Sequence, residues 1–189
     1  MKKALAITAF CLAVAPIAAW SLYKPVRVLA PQLADDISCP HADLCIDDSR
    51  KTPQALALYE EALDFVSNAV GTFRQRPRII FCATQHCFQL FGFNRAAAAT
   101  VGTSGIVVSP RGWKAHYIRH EMIHHRQAEE LGVLTMLFKP EWLIEGMAYA
   151  LSDDPRSTLS DRWQSAREQF VQWYTTIGKH HLWQQARTQ

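Results

Sequence analysis

The sequence has no large excess of charge of either sign. Its 20 Lys and Arg residues stand against 17 Asp and Glu residues, and Lys2 and Lys3 supply two of the three net positive charges. Proteins that bind DNA or RNA usually carry a pronounced basic surface, so we expect no nucleic-acid partner. The sequence also has no internal repeat and no low-complexity run beyond Ala96 to Ala99. Its 189 residues, 49% of them hydrophobic, are enough for one ordinary globular domain.

The N-terminus has the composition of an export signal. Met1-Lys2-Lys3 is a positively charged n-region, and the residues from Ala4 to Trp20 are mostly apolar. Extended to Leu22, the apolar stretch has about 19 residues, just enough to span a bilayer. The residue before Cys11 is not small, as a lipoprotein signal would require. We therefore predict that residues 1–22 are a cleaved signal peptide or an uncleaved inner-membrane anchor. Either places the rest outside the cytoplasm, as a periplasmic or membrane-anchored domain.

The number of cysteines is consistent with an exported protein. Four of them, Cys39, Cys45, Cys82 and Cys87, follow the N-terminal segment, and an even number in an exported chain indicates disulfides. Local pairing of Cys39 with Cys45 and of Cys82 with Cys87 is predicted, because both gaps are short and lie in turn-rich stretches. The alternative is a second zinc site that includes His41, but its spacing does not fit the common zinc motifs.

We expect the folded domain to occupy residues 52–189. Residues 23–51 contain three prolines and several acids, which predicts an extended lead-in and not a packed element. From Thr52 to Phe73 apolar residues recur at helical spacing, with Thr52 as the N-cap and Pro53 at the first helical position. Shorter elements are predicted further on: strands at 78–82 and 105–109, and helices at 85–91 and 160–178.

The central motif of the chain is His120-Glu121-Met122-Ile123-His124. Residues four apart on a helix share a face, so His120 and His124 can hold a single metal ion with Glu121 beside it. A second helix follows a short connection and opens at Pro140-Glu141, and it carries Glu145 as a third ligand. Two imidazoles and one carboxylate with an open fourth position suit zinc (Zn²⁺). We predict a zinc hydrolase site.

Other histidines fit this site less well. His116 continues the stripe of His120 and His124, but it lies about 12 Å from His124 along the helix axis. Ligand bonds of about 2 Å cannot close that gap around one ion. The residues after His124 also lack the third histidine of the HExxHxxGxxH class.

The motif His120-Glu121-x-x-His124, followed by Glu141-Trp142-x-x-Glu145-Gly146-x-Ala148, resembles the gluzincin class of zinc metallopeptidases. The likeness covers residues 105–152 and is greatest to the compact members called minigluzincins. It implies an α+β, zincin-like fold, in which a small mixed sheet packs on the HExxH helix, the Glu-bearing helix and a C-terminal helix. It also implies that the strand at 105–109 forms the cleft rim and pairs with the substrate backbone.

The resemblance leaves some residue roles open. The family often has an acid one turn after the third ligand to orient a zinc-bound histidine, but this position holds Tyr149, and Asp153 and Asp154 come later. Either Tyr149 or Asp153 is a candidate for that role. The family also uses a Tyr or His to stabilise the oxyanion, for which Tyr149, Tyr174 and His116 are the candidates.

The predicted function is a zinc-dependent peptidase of the cell envelope that acts on a peptide or protein substrate. Glu121 is the general base, and Tyr149 is a further candidate catalytic residue. Two alternatives stay open: a catalytically quiet domain that zinc stabilises, and a metal-free binding domain anchored in the envelope. The sequence does not indicate an oligomeric state.

Overall fold

A five-stranded mixed sheet carries the helices of this α+β protein. The structure is a computed structural model and describes Trp20 and residues 22–189. Strand order in the sheet is β1-β2-β3-β5-β4; the three inner strands run parallel, and the two outer ones are antiparallel to their neighbours. The strands are β1 (Ser38–His41), β2 (Leu44–Ile46), β3 (Ile79–Phe81), β4 (Ala98–Val101) and β5 (Gly105–Val108).

The helices lie on both sides of this sheet. The α-helices are α1 (Thr52–Val70), α2 (Gln85–Leu90), α3 (Ala115–Leu131), α4 (Val133–Met136), α5 (Glu141–Leu151), α6 (Asp161–Ile177) and α7 (Leu182–Thr188). Short 3-10 helices occur at Lys24–Leu29, Pro31–Leu33, Ser49–Lys51, Pro110–Gly112 and Lys179–His181. The long predicted helices and both predicted strands are confirmed to within a few residues. Helix α1 begins at Thr52, which is therefore its first residue and not its N-cap.

Successive side chains along each inner strand point to opposite faces of the sheet, so each inner strand contributes to two hydrophobic cores. Ile79 and Phe81 of β3 face the larger core, which helices α1, α3 and α5 complete. Ile80 lies on the other face, in a smaller core closed by Val28 and by Phe88 of α2. Strands buried on both faces are continuous apolar runs, as these are.

The prediction of an unpacked lead-in over residues 23–51 is wrong for most of that segment. Val28 is fully buried, and β1 and β2 extend the sheet. Strand β2 has only three apolar residues between two aspartates, and a run of that length is too short to be recognised as a strand from the sequence. Pro40 lies in an edge strand, where the missing N–H removes no necessary ladder bond.

The two predicted disulfides are confirmed. Cys39 of β1 is bonded to Cys45 of β2, and Cys82, after β3, is bonded to Cys87 of α2. Disulfides form in oxidising environments, so this pairing indicates an exported protein. The predicted signal or anchor, residues 1–22, lies outside the described residues apart from Trp20 and Leu22. Within the described part, the helices are too short or too polar to cross a membrane.

Helices α5 and α6 approach each other closely at Gly146. A Cβ atom at this position would lie 2.3 Å from the carbonyl oxygen of Ala166 and 2.9 Å from Cβ of Phe170. This contact fixes the position of the helix that carries Glu145.

The variant Gly146→Ala tests that contact, because close packing and loose packing predict opposite changes in the free energy of unfolding. Alanine favours an isolated helix over glycine by about 1 kcal/mol, so loose packing would make the variant more stable. The close contact with the α6 backbone instead predicts that the free energy of unfolding falls by about 1–3 kcal/mol. Urea denaturation measures this change, and an increase in stability would contradict the packing.

Candidate metal centre

His120 and His124 on α3 meet Glu145 on α5. The two Nε2 atoms are 3.1 Å apart, and each lies 3.5 Å from an oxygen of the Glu145 carboxylate. The candidate ligand atoms of the three residues all lie within 4.8 Å of one another. Bonds of about 2.0–2.1 Å at tetrahedral angles separate ligand atoms by about 3.3–3.4 Å. The three side chains therefore fit a tetrahedral metal ion with its fourth position open.

Gln127 orients one of the histidines. Its side-chain amide donates to the carbonyl oxygen of Ile144 at 2.9 Å, which turns its Oε1 toward His124 Nδ1 at 2.8 Å. Nδ1 of His124 therefore carries the proton and donates it to Gln127, which leaves the lone pair of Nε2 for a metal. Gln127 is fully buried and links α3 to the helix that bears Glu145. Sequence reasoning missed this residue.

The variant Gln127→Leu removes this orientation while keeping a similar volume. We expect the affinity for zinc to fall by about 10- to 100-fold, as is typical when a residue that supports a ligand is replaced. Competition with a chromophoric chelator measures the affinity. Gln169→Leu, at an exposed position on α6, is the matched control and should bind zinc as the parent does. Equal affinity in both variants would contradict the role of Gln127.

The pKa values of two cluster residues are shifted from their ordinary values. Burial lowers the pKa of His124, but the hydrogen bond to Glu145 and the charge of Glu121 outweigh it and raise the pKa to about 9. Burial raises the pKa of Glu145, yet hydrogen bonds from both histidines hold it well below its ordinary value. At neutral pH, a positively charged His124 therefore faces an ionised Glu145, and a metal ion would replace the proton.

This proton exchange predicts how metal affinity depends on pH. Because the pKa of His124 is about 9, the residue is protonated at pH 7, and a metal must displace that proton. Apparent zinc affinity should therefore rise by about tenfold per pH unit above neutrality and level off near the pKa. Calorimetric titration in buffers of different ionisation enthalpy measures the proton release. An affinity that does not change between pH 7 and pH 9 would contradict the metal-free charge state.

Glu121 lies beside the cluster and is held by the sheet. Thr100 on β4 can donate its hydroxyl proton to Glu121 Oε2 at 2.8 Å or to the Glu121 carbonyl oxygen at 2.9 Å. Glu121 and the three cluster residues all line one open cleft of about 790 Å³. No secondary-structure element was predicted for the stretch that contains Thr100, so its contact with Glu121 was missed.

The strand that lines the cleft is β4, and not the strand at 105–109 that was predicted to form the cleft rim. The residues 105–109 were expected to form the rim, but β5 is an inner strand whose four residues are all buried. Within the described residues β4 is one of the two edge strands of the sheet, and its residues Ala98, Ala99 and Thr100 line the cleft. The alanine run gave no strand signal because alanine is depleted in strands.

The residues that line the cleft differ in chemistry. Val133, Met136 and Leu137, from the α4 region, are apolar. Arg156 also lines the cleft and is paired with the nearly buried carboxylate of Asp154.

No protein-family model, curated protein or solved structure matches this chain. The geometry of the cluster and of its cleft is therefore the basis for a functional conclusion. That geometry establishes a possible metal site of two histidines and one glutamate.

Tyr149 lies next to the cluster. Its ring packs edge-on against His120, with ring centroids 4.5 Å apart, and Arg156 lies 5.7 Å from the Tyr149 ring centre. Burial and the charge of Glu145 raise the pKa of Tyr149, so its hydroxyl is protonated at neutral pH. Asp153, the other candidate for orienting a histidine, instead pairs with Arg119 at 3.1 Å and is largely exposed.

The remaining candidates are separated by their positions. His116 lines the cleft but lies outside the cluster, and burial lowers its pKa. Tyr174 stacks on Phe170 within α6, with ring centroids 5.3 Å apart, and is not among the described residues that line the cleft. Tyr149 and His116 therefore line the same cleft as the cluster, whereas Tyr174 is not among the described residues that line it.

Proposed function

We propose that this chain is a zinc-dependent peptidase of the cell envelope. One observation carries the proposal: His120, His124 and Glu145 bring their ligand atoms within 4.8 Å of one another, with Glu121 beside them in the same open cleft. A purely structural metal site needs neither an open cleft nor a nearby carboxylate outside the ligand set. The combination is what hydrolysis requires.

The donor set favours zinc among the common metals. Two imidazole nitrogens and one carboxylate oxygen match the ligands of catalytic zinc sites, whereas Ca²⁺ and Mg²⁺ prefer oxygen ligands throughout. Zinc in such a site supplies Lewis acidity toward a carbonyl oxygen and acidifies a water molecule. The resemblance of the motif to gluzincins, with Glu145 as the downstream glutamate, supports the same choice.

The protein side chains have separate roles in this reaction. Glu121 accepts the proton of the attacking water and transfers it to the amine that leaves. Thr100 holds the Glu121 carboxylate by its hydroxyl. The protonated hydroxyl of Tyr149 is available to donate to the substrate oxygen as charge develops there.

The substrate backbone has a natural place beside the sheet. Strand β4 is an edge strand within the described residues and lines the cleft, so its unpaired backbone groups can bind an extended peptide by strand addition. An extended peptide placed there would run past Glu121 and the metal cluster. The two disulfides support the cell envelope as the compartment, either in the periplasm or attached to the membrane.

Metal analysis combined with peptide cleavage tests the proposal. The purified full chain is expected to contain one zinc ion and to cleave members of a peptide library, with products identified by mass spectrometry. Chelation should abolish cleavage, and added zinc should restore it. A chain that keeps zinc but cleaves neither peptides nor envelope proteins would be a quiet, zinc-stabilised domain. A folded chain without zinc would be a metal-free binding domain, and either result would overturn the proposal.

A further inference from the structure

The segment between α3 and α5 exposes apolar side chains to solvent. It comprises residues 133–138, and its short helix α4 contains no buried residue. Three of its side chains are the most exposed: Leu134 at 74%, Leu137 at 75% and Phe138 at 87%. Isolated exposed apolar residues are ordinary, but several adjacent ones in a single segment indicate an interaction surface. We call residues 133–138 the apolar segment.

The apolar segment lies at the same end of the sheet as the N-terminal part of the chain. Val133 packs against Gly102 in the turn between β4 and β5, where a Cβ atom would lie 3.0 Å away. Val28 packs against Gly105 at the other side of the same turn. The apolar segment and the 3-10 helix Lys24–Leu29 therefore flank one turn.

The N-terminal part also has exposed apolar side chains. Leu22 is 85% exposed and Tyr23 is 63% exposed, and Leu29 and Leu33 are also largely exposed. In the sequence, these residues directly follow the apolar stretch that begins at Ala4. Tyr and Trp next to an apolar stretch are typical of the boundary between a bilayer and water.

Within the two exposed apolar stretches, the charged residues are all basic. Residues 20–34 and 132–140 contain no Asp or Glu, whereas they contain Lys24, Arg27 and Lys139. Basic residues beside exposed leucine and aromatic side chains are the composition of surfaces that bind anionic lipid. A second copy of this chain would bring like charges together, which disfavours self-association through the same surface.

We propose that the apolar segment rests in the interface of a lipid bilayer with anionic headgroups. Leu134, Leu137 and Phe138 contact the acyl boundary, and Lys24 and Lys139 lie at the headgroups. The segment also lines the cleft, through Val133, Met136 and Leu137. If the proposed peptidase function holds, the cleft therefore opens close to the bilayer surface, and its substrates are membrane-associated polypeptides.

Depth-dependent fluorescence quenching tests the contact in the full chain. All variants also carry Cys11→Ser, which removes the cysteine outside the two disulfides. Leu134→Cys and Phe138→Cys then each introduce one new cysteine on the apolar segment. This cysteine is labelled with a polarity-sensitive fluorophore. The proteins are reconstituted in vesicles of three parts phosphatidylcholine to one part phosphatidylglycerol. Val171→Cys, an exposed apolar position on α6, is the matched control.

The expected result is a blue-shifted emission at both segment positions and at least a twofold loss of intensity with lipid-attached quenchers. The control should respond only to a water-soluble quencher. Equal accessibility of all three positions to that quencher would overturn the proposal. A blue shift that needs no lipid and grows with protein concentration would also overturn it, in favour of a second copy. A Glu121→Gln background should leave the quenching unchanged, so this test and the peptidase test can fail separately.

Discussion

Replacing Glu121 by glutamine is expected to abolish peptide cleavage while leaving the metal in place. Glutamine has nearly the same shape and can still interact with Thr100, but it cannot accept a proton from water. General-base catalysis contributes about 10²–10⁴-fold to a rate, so kcat should fall by about that factor. Glu121 is not one of the three clustered ligand residues, so the zinc content should not change.

Two measurements separate this result from a loss of folding. Zinc content by elemental analysis and the unfolding midpoint should both match those of the parent. Glu141→Gln is the matched control, because Glu141 lies on α5, outside the cluster, and pairs with Arg162 at 2.6 Å. This control should retain full activity. A Glu121→Gln variant that cleaves as fast as the parent would show that another group is the base.

Replacing Glu145 by alanine should remove the metal. His120 and His124 alone would provide two ligands four residues apart on one helix, which is too few for a stable tetrahedral site. We expect zinc affinity to fall by more than about 100-fold, beyond the effect typical of a residue that only supports a ligand. Removal of the carboxylate also leaves His124 without the hydrogen bond that raises its pKa.

The controls for this variant use the same helix and the same cluster. Glu141→Ala changes a partly exposed glutamate of α5, outside the cluster, and should leave zinc binding unchanged. His120→Ala removes a ligand on the other helix and should lose zinc as Glu145→Ala does. If Glu145→Ala alone retained zinc at the level of the parent, the third ligand would be another group.

The metal cluster was predictable because two short-range rules suffice to locate it. The helical repeat places His120 and His124 on one face, and a short connection returns the chain so that Glu145 approaches them. Both rules use residues near each other in sequence. The helices that carry the three cluster residues and the local disulfides therefore followed from spacing in the sequence.

The groups that surround the cluster were less predictable. Gln127 lies one turn beyond His124 on the same face, so helical spacing identifies it as a neighbour. Its role, however, depends on the carbonyl oxygen of Ile144, which only the packing of α5 on α3 supplies. Thr100 reaches Glu121 because β4 pairs with β5, and no pattern in the sequence predicted β4.

The first part of the domain was missed for a related reason. Strands β1 and β2 have four and three residues. Strand β2 pairs with β3, and β1 pairs with β2, to which the Cys39–Cys45 bond also joins it. Short strands have little intrinsic preference of their own, and their stability comes from neighbours distant in sequence. The prolines of that segment then suggested a linker.

The three residues of the metal cluster come from one continuous stretch of the chain, residues 120–145, whereas the inner strands come from residues 44–46, 79–81 and 105–108. Closing a short loop costs less chain entropy than pairing distant strands, so contacts within 120–145 should form early during folding. A metal ion that binds the three cluster residues would then bind before the sheet is complete. The metal concentration would thus influence how quickly the chain reaches its native state.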